Sequence, residues 1–371
     1  MPTTPCLLLD EQRMNRNIAR LRSRLQTLRV SFRPHLKTAK SIDIARRLVL
    51  TPTGPATVST LKEAEEFSAA GITDLLYAVG ITPDKLARVV ELRNRGVDLC
   101  VILDSMEQAQ AVVAKCRESG TTIPVLIEID CDGHRAGVRP GDSLLIEIGR
   151  TLHAGGAQLR GVMTHAGGSY DSRSVDALEL AAEQERAAAV RCAEELRSAG
   201  LPSPVVSVGS TPTAHFAKDL SGVTEVRAGV FVFFDLVMAG IGVCSLDDIA
   251  VSVLATVIGH RPANQIIVDA GWMAVSRDRG TANHRIDYGY GLVCDEQGRP
   301  FDDLILGQLN QEHGIIESRR KDAASIPSLP IGSRVRILPN HACATASQHD
   351  EYIVLREGAA TEHWPRIQRG W

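Results

Sequence analysis

Lys37 is set apart from the other basic residues of this chain by its neighbours. It closes the run Arg33-Pro34-His35-Leu36-Lys37-Thr38, after a strand-like stretch (Leu28-Arg29-Val30-Ser31-Phe32) and before a helix-like one that begins at Ser41. An amine at the carboxyl end of a strand, in a chain alternating strands with helices, lies where such folds place their reactive groups. Most lysines are solvated loop cations. Here Pro34 stiffens and His35 polarises the approach, so the amine can be held for attack on a carbonyl carbon or for removal of a proton. A second cluster is Pro339-Asn340-His341-Ala342-Cys343-Ala344-Thr345-Ala346. On a strand, residues two apart share a face, so the His341 imidazole and Cys343 thiolate can meet one divalent ion. Two protein ligands leave positions open for water or substrate, the catalytic arrangement. Sulfur beside imidazole suits zinc, with manganese, cobalt or nickel as alternatives. Gln311-Glu312-His313 either supports that pair or forms a polar turn.

Further polar clusters follow strand-like runs. Asp130-Cys131-Asp132-Gly133-His134-Arg135 follows one, and Thr164-His165-Ala166-Gly167-Gly168-Ser169-Tyr170 another. Gly209-Ser210-Thr211 and Arg227-Ala228-Gly229-Val230 follow two more. Gly209-Ser210-Thr211 has the makings of an anion cradle, with close backbone N–H groups, two hydroxyls and a following helix start. A Gly-Ser-Thr-Pro turn capping a helix accounts for it about as well. Gly229 and Val230 fall where a barrel binds phosphate, beside its last two strands. Arg135 and Arg227 are either strand-end cations in salt bridges or neutralisers of a phosphorylated cofactor. His165 reads as a histidine satisfied by backbone and Tyr170 as a ring over the barrel, unless a ligand sits between them.

The elements that must position these residues recur regularly. Strand-like runs fall at Val30–Pro34, Ala56–Thr60, Asp74–Val79, Val97–Leu103, Pro124–Asp130, Gln158–His165, Val205–Gly209 and Thr224–Ala228. They are aliphatic without alternation, as strands covered on both faces are. Amphipathic stretches lie between them, with Gly71, Gly96, Gly120 and Gly200 at their expected ends and Pro83 at a start. Eight such units predict an α/β fold, a (β/α)8 TIM barrel, with a doubly wound sheet as the alternative. After Cys244 the pattern changes to strand-like runs separated by turns, a mostly-β domain.

With a net charge of -3 and no Lys/Arg-rich run, nucleic acid and anionic membranes are poor partners. No stretch is long and apolar enough to span a bilayer, and the amino terminus lacks a signal-peptide pattern, so a cytoplasmic location is expected. The eight cysteines are scattered with no Cys-x-x-Cys pair, unlike a disulfide framework.

Taken together, Arg33-Pro34-His35-Leu36-Lys37-Thr38, Asp132-Gly133-His134-Arg135-Ala136-Gly137-Val138, Gly209-Ser210-Thr211-Pro212-Thr213 and His341-Ala342-Cys343 resemble, in kind and order, one enzyme family. It is the D-serine dehydratase/D-threonine aldolase family of fold type III pyridoxal-phosphate enzymes, and the resemblance covers nearly the whole chain. The aldolase branch carries an acid where Cys343 stands and a glycine-rich run in place of Ser210-Thr211-Pro212, which points to the dehydratase branch. The resemblance implies an alanine-racemase-like barrel over residues 8–243 and a β domain over 244–371, joined by the amino-terminal segment 1–7, in a homodimer. It implies that Lys37 holds pyridoxal 5'-phosphate, with Arg135 at the ring and Tyr170 beside it, and His165 and Arg227 in the same pocket. Gly209, Ser210, Thr211, Gly229 and Val230 would surround the phosphate, and His341 and Cys343 would bind the metal. The implied activity is dehydration of D-β-hydroxy amino acids. D-threo-3-hydroxyaspartate would give oxaloacetate and ammonia, and D-serine would give pyruvate and ammonia. A retro-aldolase using the same cofactors is the alternative.

Overall fold

The computed structural model describes residues 2–262, 264–320 and 326–371. The chain divides into two compact units, Leu21–Gly229 with Ile367–Trp371, and Met1–Arg20 with Val230–Arg366. Strand β1 (Cys6–Asp10) belongs to the second of these. The first unit is the (β/α)8 barrel. Its strands are β2 (Ser31–Pro34), β3 (Ala56–Val58), β4 (Asp74–Gly80), β5 (Asp98–Leu103), β6 (Pro124–Ile129), β7 (Gln158–Thr164), β8 (Val205–Val208) and β9 (Glu225–Ala228). All pair in parallel, β3 to β9 in chain order with β2 beside β9. The ring closes where His35 bridges Thr57 and the Leu36 N–H donates to the Thr57 carbonyl at 2.9 Å. The strand runs lack alternation because both faces are covered; Leu75, Leu76 and Tyr77 in succession are all buried. Thr60, Ser105 and Ser174 open three of the outer helices by accepting the N–H groups of Glu63, Gln108 and Ala177.

The barrel interior is part aliphatic and part polar. Leu76, Cys100, Ile102, Leu126 and Met163 pack into one cluster. A polar thread crosses the neighbouring strands. Arg33 pairs with Asp74 and Glu225, each at 2.8 Å. Glu225 in turn accepts from the Ser207 hydroxyl at 2.8 Å, and Ser207 Oγ accepts from Arg227 Nε at 2.9 Å. Arg227 Nη2 donates to the Thr164 carbonyl. The thread fixes a buried guanidinium beside the carboxyl ends of the strands.

The second unit is a mostly antiparallel sheet of nine strands among the described residues. It adds β10 (Val251–Arg261), β11 (Gln265–Val268), β12 (Gly291–Cys294), β13 (Pro300–Leu309), β14 (Gly314–Ser318), β15 (Arg334–Pro339), β16 (Glu351–Arg356) and β17 (Ala359–Pro365). The long β10 carries two partners along one edge. Its first residues pair with β1, and after an irregularity near Val257 its last residues pair with β11. Because β15 takes the other edge, β10, β11, β14, β13, β12 and β15 close into a ring. Val253, Ala255, Val257, Val293, Leu306, Ile316, Val335 and Ile337 are buried in this unit. β1 also pairs in parallel with β16, which ties the amino-terminal segment into the sheet.

Candidate active site

The barrel unit gathers its candidate residues at the carboxyl ends of its strands. Lys37 is exposed on the loop after β2, and its N–H donates to His35 Nδ1 at 3.4 Å. The loop is pinned from behind by Lys40, whose ammonium meets Glu63 at 2.9 Å. Glu63 also accepts from the Ser59 N–H and hydroxyl, both at 2.8 Å. Burial pushes the His35 imidazole well below its ordinary range, and the nearby charges of Lys37, Arg227 and His165 push the same way. His165 Nδ1 lies 2.9 Å from the Gly209 carbonyl. Its pKa is pushed down to about 3, chiefly by burial, with Arg227, Arg135 and Lys37 adding to the effect against the Gly209 bond. It is therefore a neutral imidazole donating through Nδ1. The Tyr170 ring stands 6.3 Å from it, centroid to centroid, at 49°.

Arg135 rides on a loop that leaves β6 and returns at once. Asp130 N–H donates to the Val138 carbonyl at 3.0 Å, and Val138 N–H to the Glu128 carbonyl at 2.8 Å. Arg135 itself is exposed, 3.7 Å from Glu128. Gly209 is required by its surroundings: at φ +136° an added Cβ would lie 2.0 Å from the Arg227 carbonyl oxygen.

The Gly209-Ser210-Thr211 turn does what the plainer of the two sequence readings expects, capping a helix. Ser210 caps the Thr211–Phe216 helix, its hydroxyl accepting from Thr213 N–H while Thr213 Oγ1 accepts from Ser210 N–H at 3.0 Å. Gly209 N–H donates to Glu185 at 3.0 Å. The amides of Gly209 and Ser210 are thus already engaged, one by Glu185 and one by Thr213. Gly229 packs tightly against the Lys37 loop, an added Cβ there falling 3.1 Å from Thr38 Oγ1, and Val230 follows it directly.

Two groups here escaped the sequence reading. Glu185, from the Val175–Ser198 helix, is buried and also accepts the Ala166 N–H at 2.8 Å, so one carboxylate holds the loops after β7 and β8. Burial raises its pKa, against the bonds from Thr213, Ala166 and Gly209 and the charge of Arg227. The signal was present, since Leu178, Ala182, Glu185, Ala189 and Cys192 form one buried stripe and a carboxylate on it needs partners. Thr57 is the other. Its buried hydroxyl has no hydrogen-bond partner among the described residues, and its register with Leu76 aims it into the barrel.

In the β unit, His341 and Cys343 are not on a strand as the spacing predicted. β15 ends at Pro339, and His341 is the residue before a short helix, Ala342–Ala346, that contains Cys343. The alanine-rich run favours that helix over continued extension. The thiol still comes within hydrogen-bonding reach of the imidazole. Asp278, not anticipated, places Oδ2 2.8 Å from His341 Nδ1. Buried Asp235 accepts the Ala342 N–H at 3.0 Å and the Met238 N–H at 3.0 Å. Burial opposes the charged imidazole, yet Asp278, the Cys343 sulfur and Asp235 raise its pKa to about 11. A cluster that holds a proton so firmly is electrostatically suited to a cation in its place. Gln311-Glu312-His313 forms the turn between β13 and β14, where the Asn310 N–H donates to the His313 carbonyl at 2.8 Å. Among the described residues no three His, Cys, Asp or Glu side chains converge as a metal-ligand set.

Residues 9–237 match the family model of the alanine racemase N-terminal domain and residues 250–355 that of a serine dehydratase domain. The chain belongs to this family, a pyridoxal-phosphate-type barrel followed by a dehydratase-type β domain. It is 54% identical over 374 residues to D-threo-3-hydroxyaspartate dehydratase of Delftia sp. (strain HT23), covering 99% of this chain and 98% of that one. It is 31% identical over 374 residues to D-serine dehydratase of Dictyostelium discoideum, covering 95% and 93%. The solved structure of the Delftia dehydratase superposes with a TM-score of 0.97 over 100% of this chain and 99% of that one. A cysteine-to-alanine variant of a D-threo-3-hydroxyaspartate dehydratase, solved in the metal-free form, does so with a TM-score of 0.97 at 53% identity, covering 100% and 99%. Among the described residues no helix is long and apolar enough to cross a membrane.

Proposed function

We propose that this chain is a pyridoxal-phosphate- and divalent-metal-dependent dehydratase, converting D-threo-3-hydroxyaspartate to oxaloacetate and ammonia and D-serine to pyruvate and ammonia. The observation that carries this reading is the meeting of the His341 imidazole with the Cys343 sulfur, with Asp278 held against the ring at Nδ1. A racemase has no leaving group for such a pair to activate, whereas expulsion of hydroxide from a β-carbon is eased by a Lewis acid.

The residues fit both groups. The barrel mouth presents Lys37 and Arg227, keeps His35 and His165 neutral, and aims an unpartnered hydroxyl, Thr57 Oγ1, inward. Two cations beside neutral donors suit a phosphate-bearing cofactor. Lys37 would hold the cofactor covalently, with Arg135, His165, Tyr170 and Arg227 around it and Gly209, Ser210, Thr211, Gly229 and Val230 toward its phosphate. His341 and Cys343 would hold the metal, with zinc preferred for the sulfur–nitrogen set. When bound, the cofactor supplies an electron sink for the substrate's α-carbon and the metal draws electrons from its β-hydroxyl. Freed when the substrate's own amino group replaces it on the cofactor, the Lys37 amine would take up the α-proton, its loop steadied by the Lys40–Glu63 pair. The β-hydroxyl leaves as water, and hydrolysis of the released enamine returns that water and gives keto acid and ammonia. A cytoplasmic homodimer is the accompanying proposal, checked by sedimentation and cell fractionation.

The test is Lys37→Ala with a panel of D- and L-β-hydroxy amino acids. Loss of both ammonia release and the visible absorbance of bound cofactor is expected, and retention of both refutes the reading. Glycine plus an aldehyde from the unsubstituted enzyme would replace the dehydratase with a retro-aldolase.

A further inference from the structure

The segment from Trp272 to Gly289 forms none of the sheet strands, yet it is held at several points. After the short Trp272–Val275 helix, Ser276 is buried with φ +72° and ψ 173°, a region essentially reserved for glycine. Just before this strained residue, the Val275 carbonyl accepts the Thr345 hydroxyl at 2.7 Å and the Ala274 carbonyl lies 2.8 Å from His349 Nε2. Both partners follow closely on His341. Farther along, the Thr281 N–H and hydroxyl donate to Asn340 Oδ1 at 3.1 and 2.6 Å, and Asn340 Nδ2 donates to the Gly289 carbonyl at 2.7 Å. Asn340 is the residue before His341. The clamped, strained turn delivers a single carboxylate: Asp278 Oδ2 sits 2.8 Å from His341 Nδ1 while its Oδ1 accepts the Gly280 N–H at 2.8 Å.

Backbone strain persists only where the surrounding structure insists on it, and it clusters at sites where geometry matters. A metal-ligating imidazole needs its other nitrogen held, because that bond fixes both tautomer and ring orientation. We infer that Asp278 is a positioning residue for the divalent-metal site, holding the proton of His341 on Nδ1 and so leaving Nε2 as the nitrogen able to ligate. This rests on the reading of His341 and Cys343 as metal ligands. Ser276 and the Thr281–Asn340 bonds are the devices that keep the carboxylate in place. Asp278 itself touches neither substrate nor cofactor in this assignment.

The experiment is a Zn2+ titration, by calorimetry and by metal content after dialysis, on chelator-stripped protein carrying its pyridoxal phosphate. Wild type, Asp278→Asn and His341→Ala are compared, with cofactor absorbance and thermal melting recorded for each. The expected result is Zn2+ affinity about 10–100-fold weaker in Asp278→Asn with cofactor absorbance and melting unchanged, and no binding in His341→Ala. Wild-type affinity in Asp278→Asn beside lost binding in His341→Ala overturns the positioning role while leaving the metal site standing. Wild-type affinity in His341→Ala overturns both. Should Asp278→Asn fail to fold, Asp278→Ser is titrated in its place and decides by the same two outcomes.

Discussion

Replacing Glu185 by alanine should destabilise the barrel unit through two backbone amides. The Ala166 and Gly209 N–H groups both donate to one Glu185 oxygen, at 2.8 and 3.0 Å, in a fully buried setting. Leaving a buried donor unsatisfied costs about 1–3 kcal/mol, so the pair amounts to about 2–6 kcal/mol. In a unit of this size each kcal/mol lowers the melting temperature by about 2–4 °C, which places the fall at about 4–24 °C. Glu185→Gln keeps an oxygen acceptor and should lose much less. The pH dependence separates the two further. Because burial raises the folded-state pKa of Glu185 above its ordinary 4.5, ionisation works against folding. The carboxyl's contribution is full below that ordinary value and is lost as pH rises through the raised one. The wild-type advantage over Glu185→Gln should therefore shrink as pH is raised from about 4.5. Melting followed by circular dichroism, beside a cofactor titration, reads both effects. The Ala166 and Gly209 loops carry His165 and the Ser210 turn, so Glu185→Ala should also bind pyridoxal phosphate more weakly. A Glu185→Ala protein that melts with wild type and binds cofactor equally well would refute the latch.

Gly209→Ala should fail more completely, since its Cβ would fall 2.0 Å from the Arg227 carbonyl at φ +136°; a loss beyond about 4 kcal/mol is expected. Soluble expression with normal cofactor absorbance would count against it. His165→Gln should flatten the acid limb of stability. With the folded pKa at about 3 against an ordinary 6.5, the unfolded chain takes up a proton the folded one refuses, and stability falls with pH across that window. Parallel plots of melting temperature against pH for variant and wild type would contradict the assignment.

The barrel was legible because its physics is local. Strands covered on both faces read as continuous aliphatic runs, and β5 and β6 begin and end close to where those runs do. The β unit was half legible. β10, β11, β15 and β16 carried β-branched runs, whereas the short β12 and the polar-ended β13 carried too little pattern to stand out. Lys37 stood out as a candidate from its place after β2, and His341 with Cys343 from their residue types, although a strand was expected where a helix begins. Asp278 was out of reach, since it lies in irregular backbone and meets His341 across 63 positions of chain. Glu185 could have been found, because a carboxylate on an apolar helical stripe asks for buried partners.

The polar thread compensates its two guanidiniums unequally. Arg33 is closed by two carboxylates, Asp74 and Glu225, and projects little charge. Arg227, farther along the same thread, directly meets only the Ser207 hydroxyl and the Thr164 carbonyl among the described residues. The carboxylates of Glu185, Glu225 and Glu128 act on it from farther away, and burial still lowers its pKa. The two imidazoles nearby cannot add charge, because burial and the cations keep them neutral. A buried guanidinium with neutral partners is costly unless an anion joins it. The thread thus stores an unmet demand at the strand ends, beside the Lys37 amine, and a phosphate-bearing cofactor is the kind of ligand that meets it.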